Sequence, residues 1–273
     1  MECVALIQLN AGPNPAKNLP QTLRYMAQAA DQGAKFILTP ECSNMLCAEG
    51  SNPKSAAHLQ EADPLVHATR AFCQARGLWV CLGSVILRQV DSHRLINRQI
   101  LINPAGEIAA TYDKIHLFDV ILDGQEGYRE SQTYDRGYRA KVTQAKGLFE
   151  GLRLGHAICY DLRFPNLFRR LRADIQVLPA AFTRTTGAAH WHTLLRARAI
   201  ENGCFVLAAA QTGTHDKTRQ TYGHSLIIDP WGEIVLDMGT DPGVGVCELD
   251  LGQIARRRGQ IPAMTADQDF DYA

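Results

Sequence analysis

Cys159 is the residue of this chain best placed to form a covalent intermediate. It closes the run Leu154-Gly155-His156-Ala157-Ile158 and is followed by Tyr160-Asp161-Leu162-Arg163-Phe164-Pro165 and a helical pattern. A thiol on such a strand-to-helix turn is partly exposed, with backbone N–H groups aimed at it. That setting lowers a cysteine pKa and holds an oxyanion, the two needs of acyl transfer through sulfur. The competing reading is a buried structural cysteine, which local pattern alone does not dismiss. Glu41 is a lone carboxylate between Phe36-Ile37-Leu38 and Met45-Leu46. Burial there raises a carboxyl pKa toward that of a general base, and the alternative is a helix cap or an arginine partner. Lys114, in Tyr112-Asp113-Lys114-Ile115-His116-Leu117-Phe118, reads from pattern as a solvated edge lysine. It gains interest because thiolate and oxyanion both call for a nearby cation.

Other constellations are weaker. His190-Trp191-His192 suggests a metal, but residues two apart on a helix do not share a face. No His-Glu-x-x-His or cysteine–histidine spacing completes a zinc site, so no metal is expected. Ser225, in Gly223-His224-Ser225, lacks the Gly-x-Ser-x-Gly elbow of a serine nucleophile. Neither a Gly-x-Gly-x-x-Gly nor a phosphate loop occurs, so no nucleotide cofactor is expected. A cysteine–histidine hydrolase using His116 or His190 stays open, because such partners meet in space rather than in sequence.

The elements that would position these residues fall into two similar series. In the first, strand Val4–Leu9 leads to a helix through Leu19, Leu23, Met26 and Ala30 that Gly33 stops. Strand Phe36–Leu38 ends at Pro40, and a helix through Leu65, Ala68 and Phe72 ends near Gly77. Strand Trp79–Leu82 comes next, then a hairpin of Gln99–Asn103 and Glu107–Tyr112. The second series repeats the order with strand Leu154–Cys159, a helix over Leu167–Leu171 and strand Ile175–Leu178, ended by Pro179. A helix through Trp191, Leu194, Leu195 and Ala199 precedes strand Phe205–Ala210 and a hairpin of Ser225–Asp229 and Glu233–Leu236. The two hairpin turns match in type, Asn103-Pro104-Ala105-Gly106 against Asp229-Pro230-Trp231-Gly232. This order predicts two β-α-β-α-β-β halves related by an internal pseudo-two-fold. Their bare sheet faces would pack together as a four-layer α-β-β-α sandwich. No polar linker divides them, so residues 1–273 read as one domain, with 259–273 a C-terminal tail that needs a surface to lie on.

Bulk composition narrows the function classes. Among 273 residues, 46% are hydrophobic and 28 basic residues balance 28 acidic ones, which speaks against a nucleic-acid footprint. Arg256-Arg257-Arg258 reads as a solvated patch. No apolar stretch of about 18 residues occurs, so no membrane span is expected. The start, Met1-Glu2-Cys3-Val4, lacks the positive charge of a signal peptide, and the eight cysteines show no regular spacing. A cytoplasmic protein with free thiols is the expectation.

At Ile158-Cys159-Tyr160-Asp161-Leu162-Arg163-Phe164-Pro165 the sequence resembles the nitrilase superfamily of carbon–nitrogen hydrolases. Leu38-Thr39-Pro40-Glu41 and Tyr112-Asp113-Lys114-Ile115-His116-Leu117-Phe118 resemble two further family blocks, in the same order. Similarity runs from Val4 to about Gln260. The resemblance implies an α-β-β-α sandwich, usually paired through its helical face as a homodimer or larger homo-oligomer. It also implies a glutamate–lysine–cysteine triad of Glu41, Lys114 and Cys159, with the Tyr160 N–H beside the oxyanion. Glu130, in Tyr128-Arg129-Glu130-Ser131, matches the family's second glutamate, which positions substrate and lysine. The implied reaction takes a small carboxylated amide to its acid and ammonia through a thioester, without cofactor or metal.

Segments such as Ala181-Phe182-Thr183, Leu195-Arg196-Ala197-Arg198-Ala199-Ile200-Glu201 and Tyr222-Gly223-His224-Ser225 resemble the Nit branch. They are nearer to amidases of deaminated glutathione than to omega-amidases of 2-oxoglutaramate. Those omega-amidases, N-carbamoyl amide hydrolases and a non-catalytic binding protein on the same fold are the alternatives. Two departures stand out: His192 where relatives commonly carry glutamate, and the stretch 121–127 in place of a short aspartate-x-proline-glycine turn.

Overall fold

The computed structural model describes residues 1–47, 53–121, 127–216, 219–266, 268 and 271. The first series forms β1 (Glu2–Gln8), α1 (Pro15–Asp31), β2 (Phe36–Leu38), α2 (Pro64–Arg76), β3 (Trp79–Arg88), β4 (Leu95–Ile102) and β5 (Ile108–Asp113). The second forms β6 (Lys141–Thr143), β7 (Leu154–His156), α3 (Pro165–Leu171), β8 (Ile175–Val177), α4 (Arg184–Asn202) and β9 (Phe205–Ala208). It continues with β10 (Leu226–Ile228), β11 (Ile234–Asp237), β12 (Gly243–Leu249) and α5 (Gly252–Gln260). The helices begin and end as their sequences dictate. Asp63 caps α2 by accepting from Leu65 N and Val66 N, Pro64 takes the first position, and Gly77 closes it at φ 64°.

One sheet runs β12-β1-β2-β3-β4-β5 and the other β11-β10-β9-β8-β7-β6. In each, three strands are parallel: Val4 lies beside Phe36 and Phe36 beside Trp79, as Leu154 lies beside Ile175 and Ile175 beside Phe205. Strand parity then sorts the side chains. Val4, Leu6, Phe36 and Leu38 meet Leu154, Ile175, Val177, Phe205 and Leu207 in the core between the sheets. Ala5, Ile7, Ile37 and Val80 face the other way, onto Met26 and Ala29 of α1 and Leu65 and Cys73 of α2. Val206, Ala208 and Ile228 likewise lie under Trp191, Leu195 and Ala199 of α4. The result is the expected α-β-β-α sandwich. Burial on both faces explains why these strands read as unbroken apolar runs.

Four expectations change in detail. Each half carries an antiparallel neighbour of its first parallel strand that the pattern did not foretell: β6 beside β7, and β12 beside β1. The first half's extra strand therefore comes from the far end of the chain. Its run Gly243-Val244-Gly245-Val246-Cys247 is half-exposed and glycine-rich, so it carried no strand signal. Strand β3 is ten residues long, not four, because a register shift between Leu82 and Val85 lets it continue past Gly83. Strand β7 stops at His156, short of Cys159. The arginine run is not simply solvated: Arg258 reaches Asp174 and the carbonyls of Ala173 and Asn202, while Arg257 lies over the Trp231 ring at 4.6 Å. Helix α5 carries the chain to Gln260, and beyond it Arg169 of α3 donates to Met264 Sδ and the Ala263 carbonyl.

Candidate active site

Strands β2 and β7 belong to different sheets, yet the face-to-face packing brings the turns at their carboxyl ends together. The turn after β2 holds Glu41, and its close seating depends on Gly83. A Cβ at Gly83 would stand 1.8 Å from the Thr39 carbonyl oxygen and 2.5 Å from Pro179 Cβ. The strand–proline ends of both halves thus lean on one bare backbone position. Gly83 N also donates to Thr39 Oγ1 at 2.9 Å.

Glu41 is buried, 2% exposed, and every carboxylate oxygen is engaged. Oε1 accepts from Lys114 Nζ at 2.9 Å and Asn97 Nδ2 at 2.9 Å, and Oε2 accepts from Ala181 N at 2.8 Å. Lys114 comes directly after β5 and is 1% exposed. Its Nζ also donates to Glu130 at 2.8 and 3.1 Å, and Glu130 Oε2 accepts from Phe118 N at 2.8 Å. Burial alone would push the lysine pKa down, but Glu130 and Glu41 raise it well above the usual value. Lys114 is therefore a fixed ammonium.

Cys159 opens a 3₁₀ turn, Cys159–Arg163, at φ 49°. Such a left-handed conformation is uncommon for a residue with a Cβ and persists only when surroundings impose it. Asp161, fully buried, imposes it by accepting from four donors. They are Ile158 N at 2.9 Å, Tyr112 Oη at 2.6 Å, His116 N at 3.0 Å and His116 Nδ1 at 2.7 Å. From the other side, Arg198 of α4 donates to the Leu162 carbonyl at 2.8 Å. The turn sets the thiol beside the Glu41 carboxylate, with Lys114 and the Ala181 N–H close by. Glu41, Glu130, Cys159 and Tyr160 line one cleft with Phe118, Phe182 and Thr186. Its charges and thiol can carry out acyl transfer.

The carbon–nitrogen hydrolase family profile matches residues 3–258 of this chain. The chain belongs to the carbon–nitrogen hydrolase family. A deaminated glutathione amidase of Yersinia enterocolitica is 43% identical over 85% of this chain and 81% of its own. The NitFhit protein of C. elegans superposes with a TM-score of 0.89 at 32% identity, covering 98% of this chain and 65% of that longer one. Saccharomyces cerevisiae Nit3, a member of branch 10 of the nitrilase superfamily, gives a TM-score of 0.84 at 26% identity, over 98% and 96% of the two chains.

In this hydrolase two electrostatic expectations reverse. Burial does push the Glu41 carboxyl up, but Lys114 outweighs it and holds the pKa below the ordinary value. The Cys159 thiol is buried rather than partly exposed, at 7%, and burial followed by Glu41 raises its pKa well above normal. The resting pair is carboxylate and thiol. Proton transfer must then accompany attack rather than precede it.

Histidine roles change as well. His116 turns to Asp161 and stacks on Phe164 at 3.5 Å, and His190 contacts Arg163, so neither serves Cys159. Ser225 is a structural link: its Oγ donates to Gln8 Oε1 at 2.8 Å and accepts from Ala210 N. His192 makes a structural contact outside the cleft, with Asp237 at 3.2 Å beside His224, which bonds the same carboxylate. The three would suit a metal ion by donor type and spacing. The 121–127 stretch falls mostly on positions outside the described residues. Sequence reading missed four contributors: Asn97, Asp161, Arg198 and Arg219. Asp161 alone had a visible signal, as the acid inside the Cys-Tyr-Asp block.

Proposed function

We propose that this hydrolase is a thiol-dependent amidase for small amides whose acyl part carries a carboxylate, with deaminated glutathione the substrate to which its named relatives point. The contact chain Glu130–Lys114–Glu41–Cys159 in one slim cleft carries this reading. Glu41 accepts the Sγ proton as sulfur attacks the amide carbonyl. The Lys114 ammonium and the Tyr160 N–H, which has no backbone acceptor among the described residues, receive the oxyanion. Glu130 keeps Lys114 charged and aimed. Collapse breaks the C–N bond, and Glu41 passes its proton to the leaving nitrogen. Water then opens the thioester with Glu41 as base, and the proton returns to sulfur.

Ammonia leaves only from a primary amide such as 2-oxoglutaramate. From deaminated glutathione the departing nitrogen carries cysteinylglycine, and both substrates yield 2-oxoglutarate. The test is 2-oxoglutarate formation from each, wild type beside Cys159→Ala. Cysteine-dependent turnover with higher kcat/KM for the tripeptide analogue is expected. Preference for 2-oxoglutaramate would make the protein an omega-amidase, turnover of N-carbamoyl amides alone would move it to that class, and an inert Cys159 would make it a binding protein.

The shared core between the sheets supports treating residues 1–273 as one domain. Exposed Ile200 on α4 beside Gly232, with Trp231 also exposed, supports pairing of two copies through this helical side, which sedimentation would test. All eight cysteines are free, which suits a reducing cytoplasm.

A further inference from the structure

A second cation reaches the cleft that this scheme does not use. Arg219 lines it together with Glu41, Glu130 and Cys159. Its Nη1 donates to the Cys47 carbonyl at 3.2 Å, and its Nε is shut off from solvent with no acceptor. Both carboxylates of the cleft are already spent on Lys114, Asn97 and the N–H groups of Ala181 and Phe118. Among the described residues no carboxylate lies within ion-pair distance of Arg219. Cys42 and Tyr134, the other acidic groups whose charge would reach it, stay neutral because burial raises both. A guanidinium that lines the cleft with an idle, solvent-shielded Nε–H is costly, and the group that would relieve it is an oxyanion. The planar fork of arginine fits a carboxylate through two parallel hydrogen bonds.

We propose that Arg219 is the carboxylate anchor of the cleft, binding the far end of the acyl chain while Cys159 attacks the carbonyl at the near end. This rests on the amidase reading above and deepens it by naming the residue that selects for a carboxylate on the acyl part. A tripeptide analogue and a primary amide sharing one acyl group would share this anchor.

The test separates the anchor from the amidase reading by using a reaction that needs no amide. Cys159 is alkylated with 5-chloro-4-oxopentanoate and, in parallel, with the neutral 1-chlorohexan-2-one. In both, sulfur displaces chloride from the CH₂ carbon and the thiol proton is lost to Glu41. Mass spectrometry of the Cys159 peptide gives each rate. Wild type should favour the anionic reagent, and the ratio should fall by on the order of 10–10² in Arg219→Gln, the loss expected for a hydrogen-bonded charge. Arg219→Lys should keep part of it. Glutarate should also protect wild-type Cys159 against the neutral reagent, a measurement that needs no variant to fold. For 2-oxoglutaramate the Arg219→Lys defect should lie in KM more than in kcat. An unchanged ratio in both variants, or no protection by glutarate, overturns the anchor. A ratio that collapses as expected while no amide is hydrolysed keeps the anchor and overturns the amidase.

Discussion

Cys42 and Cys159 each sit in a tight turn just beyond a strand, β2 for one and β7 for the other. Their backbones are alike, with φ of 58° and 49°, and so is their burial, 6% and 7% exposed. Burial raises both thiols well above the ordinary cysteine range. Their surroundings differ. Cys42 packs among Met45, Leu46, Ile86 and Leu95, whereas Cys159 opens on the cleft beside the Glu41 carboxylate. Strain, burial and thiol acidity therefore do not separate the proposed nucleophile from a packing residue here. A base in contact and room for a carbonyl do.

Replacing each sulfur is the sharpest way to break this comparison. Cys159→Ala should lose on the order of 10⁵–10⁶ in kcat, as deletion of a nucleophile does elsewhere, while Cys42→Ala should stay within about threefold of wild type. Equal losses would mean that the two turns act as one structural unit. Next in size is the base. Glu41→Gln should reduce kcat by about 10²–10⁴, the usual share of a positioned proton acceptor. Because the resting pair is carboxylate and thiol, thiolate absorbance near 240 nm should show no step below pH ~8.5, the free-cysteine value. A step near neutrality would replace coupled proton transfer with a preformed thiolate.

Acid should tell the two strands apart. β7 carries His156, buried between Gln99 and Thr143, while β2 is wholly apolar. Burial pushes the His156 pKa down to about 3. From its ordinary value near 6.5 down to that point, the unfolded chain binds a proton that the folded one refuses, so stability falls as pH falls through this window. At about 1.4 kcal/mol per pH unit the loss reaches a few kcal/mol. Urea unfolding at pH 7 and pH 4 should show it, and His156→Gln should flatten the slope. The smallest effect concerns the joint under both turns. Gly83→Ala places a methyl against the Thr39 carbonyl and should cost about 1–3 kcal/mol in denaturant unfolding, with a lower kcat if Glu41 shifts with its turn. Unchanged kinetics in a destabilised variant would mean that the Glu41 turn is held by its other bonds.

Local pattern determined much of this protein. Apolar runs ended by Pro40 and Pro179, helices closed by Gly33 and Gly77, and matched hairpins made the four layers and their near-repeat legible. Those features need only neighbours in sequence and the burial of each run. The blocks that hold Glu41, Lys114 and Cys159 stood out too, since each has distinctive residue types. Only the tertiary structure decided what their surroundings do to them. Lys114 overrides the burial of Glu41, Asp161 and Arg198 hold the Cys159 turn from separate elements, and β12 returns from the chain's end to complete the first sheet. Arg219 gave no sign in sequence, because a cation in a cleft acquires its meaning from the acceptor its Nε lacks. Electrostatic energy depends on distance and dielectric, and both are set by which residues meet across the sheets rather than by their order along the chain.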